Sequence, residues 1–426
     1  MRNHREERSF GTFVRNHPLS VPSAVVVSRR GIAAILLSLV LIGGVLLLPY
    51  LDAAAFIVRA ADMPGRAGAF GSWRAARWVR EPLIEVPTRQ GNVKARFYRP
   101  AAAFARTVLL MPGVHRDGID EARLVGLAED LAATGFGVLT IAAPDLQKYK
   151  VTPQVTDVIE DAVKWASGQT AYAPDGKVGL IGISFSGGLS VVAAGRDSIR
   201  NRVAFVMSFG GHGDLARVMH YLCSGEVLGD VERAKRSSAV YGADHVSVHP
   251  PHDYGVAVTL LSLADRVVPP DQVEALSRGI DGFLLASSLA MTDTAAATRE
   301  FARMREYAVT LPEPSQTLMT YVNDRAVDKL GPILLPIADG LKNHPAMPSL
   351  SAERADPPAA PVFLLHGIDD NVIPSIETVL LAEHLKGKAR VHGLLSGLIT
   401  HAEVNRTPSA MEVWRLAQFW RQIMSY

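Results

Sequence analysis

The sequence predicts an α/β protein: a mostly parallel sheet covered by helices on both faces, with a helical lid insertion and a membrane-spanning helix before it. Three observations lead there. Short, continuously apolar runs at 108–111, 178–183 and 203–209 alternate with helix-length segments, the pattern of strands buried on both faces. The alternation stops near residue 213 and resumes near 359, across a helical, loop-rich stretch. Near the N-terminus, residues 31–51 form an uncharged apolar run.

Composition agrees with a large folded core. Of 426 residues, 48% are hydrophobic and 20% charged, which excludes a disordered chain. The length fits two domains or one elaborated domain. Lys and Arg exceed Asp and Glu by 44 − 42 = 2, too little for a nucleic-acid binder that works through a strongly basic face. The single cysteine, Cys223, excludes an internal disulfide and a multi-cysteine zinc ribbon, and reads as a small buried thiol.

Taken in order, residues 1–30 are a basic tail with Arg2, Arg5, Arg8, Arg15, Arg29 and Arg30 against Glu6 and Glu7. Residues 31–51 would make a helix about 31 Å long, the thickness of a bilayer's hydrocarbon. A retained anchor is expected, with the tail cytoplasmic and the rest of the chain outside. The alternative is a signal peptide cleaved near Ala55, after Ala53-Ala54-Ala55. Residues 52–81 read as a juxtamembrane linker, where Trp73 and Trp78 suit either a membrane interface or a helix docked on a domain.

Strands are expected at 83–87 and 93–98 around a turn at 89–92, since Val93, Ala95 and Phe97 alternate with polar neighbours. Then come strand 108–111, helix 120–134, strand 136–142, helix 155–167, strand 178–183, helix 187–195 and strand 203–209. The insertion, 213–358, carries Pro250, Pro251, Pro269, Pro270, Pro312 and Pro314, and ends at Asp356-Pro357-Pro358. It reads as a lid over one end of the sheet. Strand 362–366, helix 375–385, strand 389–395 and helix 409–424 complete the core, which spans 82–212 and 359–426.

The chemistry centres on Gly182-Ile183-Ser184-Phe185-Ser186-Gly187-Gly188, between a strand and a helix. That context is a nucleophile elbow, a tight turn that presents a serine at the sheet edge. The usual last glycine of Gly-x-Ser-x-Gly is Ser186 here, which raises Ser186 as a rival. Ser184, two residues past Gly182, is the expected nucleophile. After the 362–366 strand comes Gly367-Ile368-Asp369-Asp370-Asn371-Val372-Ile373-Pro374, and after the next strand Gly397-Leu398-Ile399-Thr400-His401-Ala402. An acid and a histidine thus follow the serine, both past C-terminal ends of strands, where open α/β sheets bind ligands.

On these motifs the chain resembles the α/β-hydrolase superfamily over residues 82–212 and 359–426, with a likeness to its dienelactone-hydrolase-like and lipase-like branches. The resemblance implies that the acid falls on Asp370, with Asp369 a loop carboxylate, and that the final histidine is His401. It also implies an oxyanion hole of two backbone amides, Phe185 after the nucleophile and Val114 in the loop after strand 108–111. Two other groups compete. Asp265-Arg266-Val267-Val268-Pro269 has the acid-motif shape but lies in the insertion without a His-Gly turn. His249, His252 and Asp253 cluster, but Pro250 and Pro251 break helical ligand spacing, so they read as lid surface. No metal or organic cofactor is implied.

The function this supports is a membrane-anchored serine hydrolase cleaving a carboxylic ester of a small-molecule or lipid-like substrate. Two other readings stand beside it: an acyltransferase or peptidase with the same triad, and a non-catalytic hydrolase-like binding module.

Overall fold

A strand buried on both faces needs helices above and below it, and the strand-to-strand connections supply them here. The computed structural model describes residues 29–104, 106–243, 246, 248–399 and 410–426. The N-terminal part holds α1 (Arg29–Ala60), α2 (Gly65–Arg74) and the hairpin β1 (Trp78–Thr88) and β2 (Gly91–Pro100). Alternation follows through β3 (Thr107–Met111), α3 (Ala122–Ala132), β4 (Gly137–Ile141), α4 (Pro144–Gln147) and α5 (Pro153–Ser167). It continues with β5 (Val178–Ile183), α6 (Phe185–Gly195) and β6 (Val203–Phe209).

Among the described residues the insertion is helical. It contains α7 (Leu215–Ser224), α8 (Val231–Ser237), α9 (Asp253–Ser262), α10 (Ala264–Val267), α11 (Val273–Leu289), α12 (Thr294–Val309), α13 (Ser315–Asn323) and α14 (Val327–Gly340). The sheet resumes with β7 (Val362–Gly367), α15 (Ile376–Leu385), β8 (Val391–Ser396) and α16 (Ala410–Met424).

The strands form one eight-stranded sheet in the order β1-β2-β4-β3-β5-β6-β7-β8. Strand β2 runs antiparallel to β1 and β4, and every other neighbouring pair is parallel. From β3 the chain moves outward to β4, then returns to place β5 on the other side. This reversal puts a topological switch point at the C-terminal ends of β3 and β5, the place where such sheets bind ligands. Period-two side-chain direction divides β3 between two cores. Leu109 and Met111 join Leu180, Val206 and the residues of α5 and α6 on one face. Val108 and Leu110 join Ile181, Phe205, Phe363 and Trp420 on the other. A third cluster, with Leu260, Leu276, Phe283, Met304, Leu318 and Leu334, lies mostly in the insertion and takes in Tyr149 from the segment after β4.

The N-terminal expectations need correction. The chain divides into two units, residues 1–48 and 49–426, and the sheet with its covering helices belongs to the second. Helix α1 does not stop at Leu51. It continues to Ala60, and Ala53 and Phe56 are buried in the core, with Phe56 4.3 Å from the Trp420 ring. Arg59 pairs with Asp130 of α3 at 3.3 Å. The expected linker 52–81 therefore holds the end of α1, all of α2 and the start of β1. The two tryptophans part company: Trp78 packs 5.8 Å from Tyr98, while Trp73 is 73% exposed. Among the described residues no helix is long and apolar enough to cross a membrane, so the expected spanning helix at 31–51 has no support from the structure. The tail at 1–28 and the side chains of 29–37, 39–43 and 45 lie outside the described residues.

Candidate active site

Strand β5 ends at Ile183 and the chain turns into α6 at Ser184, whose backbone has φ 57° and ψ −129°. A non-glycine residue there costs about 1–3 kcal/mol and persists only where its surroundings hold it. The Ser184 amide donates to the Phe209 carbonyl at 2.7 Å, and the Gly187 amide donates to the Ser184 carbonyl at 2.8 Å. Beneath the turn, Ser186 Oγ accepts from the Ile183 amide at 2.9 Å. Its own proton is shared between the Met111 carbonyl at 3.2 Å and the Ile183 carbonyl at 2.9 Å. Ser186 is fully buried, whereas Ser184 is half-buried. A Cβ at Gly182 would run into the Ser186 carbonyl, and one at Gly187 would lie 2.6 Å from Ser208 Oγ. The small residues are thus required by the close approach of strand and helix.

Phe185 opens α6, so its amide is among those a helix N-terminus leaves without an intrahelical acceptor. The loop after β3 runs alongside: a Cβ on Gly113 would lie 3.6 Å from Ser184 Cβ. The next residue, Val114, accepts a hydrogen bond from the Tyr254 phenol at its carbonyl, 3.1 Å away. His115 Nε2 lies 3.1 Å from Ser288 Oγ on α11, and burial pushes the His115 pKa below its ordinary value.

Asp370 sits past β7 and is 5% exposed. Its Oδ1 accepts from the Val372 and Ile373 amides at 2.9 and 3.0 Å. Its Oδ2 lies 3.3 Å from His366 Nε2. His366 is itself placed by Thr378 Oγ1 at 2.8 Å and the Ile373 carbonyl at 2.9 Å, which shapes the acid loop. The elbow and this loop meet at the end of β6. Phe209 receives the Ser184 amide, and a Cβ on the next residue, Gly210 (φ 63°), would lie 3.6 Å from Asp370 Oδ2. His401, the predicted base, lies outside the described residues; Ile399, two positions before it, packs its carbonyl against Gly367.

The competing groups fall elsewhere. Asp369 has a 62% exposed side chain facing His249 at 3.4 Å. Asp265 is exposed on α10. His252 Nδ1 lies 2.7 Å from Asp253 Oδ1, and the Tyr254 amide donates to that same oxygen at 2.9 Å. Burial alone would raise the Asp253 carboxyl, but His252 and Arg325 more than offset it and bring it down to about 2. Among the described residues no group of three or more His, Cys, Asp or Glu could hold a metal ion. Cys223 is buried, and burial with Asp339 nearby pushes its thiol up to about 12.

Three residues hold these loops through contacts that the motifs do not specify: Ser186 beneath the turn, His366 beside Asp370, and Tyr254, on α9, against the loop after β3. His366 stands in the His-Gly turn, which is a signal. The partner of Tyr254 lies 140 positions away, and no local pattern announces it.

The strand order, the antiparallel second strand and the serine turn after β5 give the chain the α/β-hydrolase fold. No family model and no curated protein matches its sequence. Among solved structures it is similar to an esterase from the hyperthermophilic archaeon Pyrobaculum calidifontis, at 16% identity over 88% of this chain and 91% of that one, with a TM-score of 0.41. A carboxyl esterase from the mycorrhizal fungus Tuber melanosporum shares 14% identity over 82% and 89% of the two chains, with a TM-score of 0.41. A thermostable carboxylesterase cloned from a metagenomic library shares 13% over 88% and 94%, with a TM-score of 0.39.

Proposed function

We propose that this protein is a serine hydrolase that cleaves carboxylic esters, with Ser184 as nucleophile, His401 as base and Asp370 as the group that orients the histidine. The observation that carries this reading is the Ser184 backbone, held at φ 57° in the turn between β5 and α6, while the Ser186 hydroxyl is engaged by the Ile183 and Met111 backbone. In the proposed reaction His401 takes the Ser184 proton as the hydroxyl attacks the ester carbonyl, then returns it to the leaving alcohol. Asp370 holds the imidazole tautomer and stabilises its cation. The Phe185 and Val114 amides bind the tetrahedral oxyanion, each such donor being worth about 3–4 kcal/mol. Water then releases the acid from Ser184.

Labelling with a fluorophosphonate, located by mass spectrometry, tests the assignment. The adduct is expected on Ser184, and Asp370→Asn is expected to lower turnover severely while the protein stays folded. An adduct on Ser186, or full activity in Asp370→Asn, overturns it. A panel of esters, amides and alternative acyl acceptors separates ester hydrolysis from peptide cleavage and acyl transfer.

Membrane attachment through 31–51, with the hydrolase domain outside the cytoplasm, is a separate proposal resting on the uncharged run and the basic tail. Retention rather than cleavage near Ala55 is supported by the burial of Ala53 and Phe56, since cleavage there would cut α1 inside the core. Alkaline extraction of membranes and N-terminal sequencing check both. Release by carbonate sinks the anchor, and a mature N-terminus at Phe56 sinks retention.

A further inference from the structure

One short stretch of the insertion touches both loops that flank the nucleophile. Residues 249–254 run from His249 through Pro250 and Pro251 to the first turn of α9. The His252 amide donates to the Asn371 carbonyl at 2.9 Å, one residue past Asp370. The Tyr221 phenol, on α7, is shared between the His249 carbonyl at 2.9 Å and the same Asn371 carbonyl at 3.2 Å. Two residues beyond His252, the Tyr254 phenol donates to the Val114 carbonyl at 3.1 Å. The stretch is stiff, because two successive prolines fix their φ angles. It is also anchored outward, since Asp253 pairs with both His252 and Arg325, and the Arg325 guanidinium lies 5.2 Å from the Phe301 ring. Tyr254 packs edge-on against Tyr149 at 6.3 Å, which fixes its ring independently of its hydroxyl.

We propose that residues 249–254 form a strap that sets the spacing of the oxyanion loop and the acid loop, with Tyr254 the positioning residue for Val114 and Tyr221 the positioning residue for the Asp370 loop. The proposal rests on the serine-hydrolase reading for its catalytic consequence. An oxyanion hole works only if its amides stand where the charge will develop, so a loop free to shift by a fraction of an ångström loses stabilisation made only in the transition state. The strap gives the insertion a second role, because its docking completes the geometry around Ser184.

The test uses the full chain and Tyr254→Phe, which deletes one hydroxyl and keeps the ring. Two readouts are taken together. Hydrogen exchange of the peptide containing residues 113–116 is expected to quicken while that of β3 does not change. On a short-chain p-nitrophenyl ester, kcat is expected to fall about tenfold with KM within about twofold, and affinity for a trifluoromethyl ketone to fall by the same factor as kcat/KM. Tyr221→Phe is expected to quicken exchange at 369–373 and to lower kcat in the same manner. If Tyr254→Phe keeps kcat within twofold, or loses it only in proportion to the fraction of unfolded protein, the catalytic role of the strap is overturned. If the unaltered chain neither hydrolyses esters nor takes a phosphonate, the hydrolase reading fails instead. In that case the exchange data still decide the strap, and unchanged exchange at both loops removes it.

Discussion

At the elbow, residues 182–188 carry no charged side chain, and the turn is held by backbone amides, a buried serine hydroxyl and glycines. At the stem of the insertion, where residues 213–217 meet 351–354, the means are reversed. Glu377 of α15 is 1% exposed and accepts the Gly213 and Asp214 amides at 3.0 and 3.2 Å. Arg217 reaches Glu377 at 2.5 Å and Glu353 at 2.6 Å, and Arg354 reaches Asp214 at 2.6 Å. Burial would lower the Arg217 pKa, but Glu377 and Glu353 outweigh it and hold it above its ordinary value. The difference follows from what each region must do. The elbow is a tight local turn that amides and one buried hydroxyl hold without a charge. A stem has to keep two distant chain segments in register, and directional charge pairs specify one pairing where apolar contact would accept several.

The largest effect should come from the elbow, and only in chemistry. Ser184→Ala is expected to lower ester hydrolysis by about 10³-fold or more while denaturant midpoints stay put. Asp265→Asn, made beside it, should leave hydrolysis unchanged. A clear loss of stability in Ser184→Ala would break the comparison, because it would make the nucleophile part of the scaffold.

The stem should show the opposite behaviour. Arg217→Met leaves Glu377 buried without its cation, and unfolding free energy is expected to fall by about 3–5 kcal/mol. Adding Glu353→Gln and Glu377→Gln should recover much of that, since it removes the stranded charge. Urea titrations of the single and triple variants decide it, and no recovery would mean that Arg217 acts through packing.

A sharper test lies on α5, which carries a charge network of its own. Glu160 on α5 is bound by Lys164, Ser198, Arg196 and Arg89. Burial by itself would raise its carboxyl, yet these partners bring it from 4.5 down to about 2. The folded pKa lies below the unfolded one, so the contribution is complete above the unfolded value and fades as pH falls from about 4.5 toward 2. Glu160→Gln should flatten that part of the stability–pH curve, with a cost at neutral pH of about 1–2 kcal/mol after screening. A cost equal to that of Arg217→Met would erase the contrast between core and stem.

The smallest effect is expected at Ser186→Ala, which leaves the Ile183 amide without its acceptor. About 1 kcal/mol of stability should go, with activity kept within about tenfold. Loss on the scale of Ser184→Ala would make Ser186 more than a tie.

How much is legible before folding varies between the same two regions. Core strands such as β5 are readable because burial on both faces leaves a continuous apolar run, and the expected 178–183 matches its span. The start of the core is not readable. Ala53 and Phe56 belong to it, but in sequence they continue an apolar run that already looks complete as a membrane helix. The insertion is legible as helical and no further, since its ties run from Arg217 to Glu377 and from Gln272 to Ser315, between residues with no local relation.

The sequence by itself determined the alternating core, the elbow and the order of serine, acid and histidine candidates, because local backbone preferences and burial periodicity act over a few residues. Only the tertiary structure decided that Ser186 is a buried tie and that Ala53 and Phe56 of α1 pack into the core. It alone also decided that a stretch of the insertion with two successive prolines bonds to both Val114 and Asn371. The hydrogen bonds behind these facts join groups far apart in the chain, Arg59 to Asp130, Ser186 to Met111 and Tyr254 to Val114 lying 71, 75 and 140 positions apart, and a pairing across such distances exists only once the fold has brought them together.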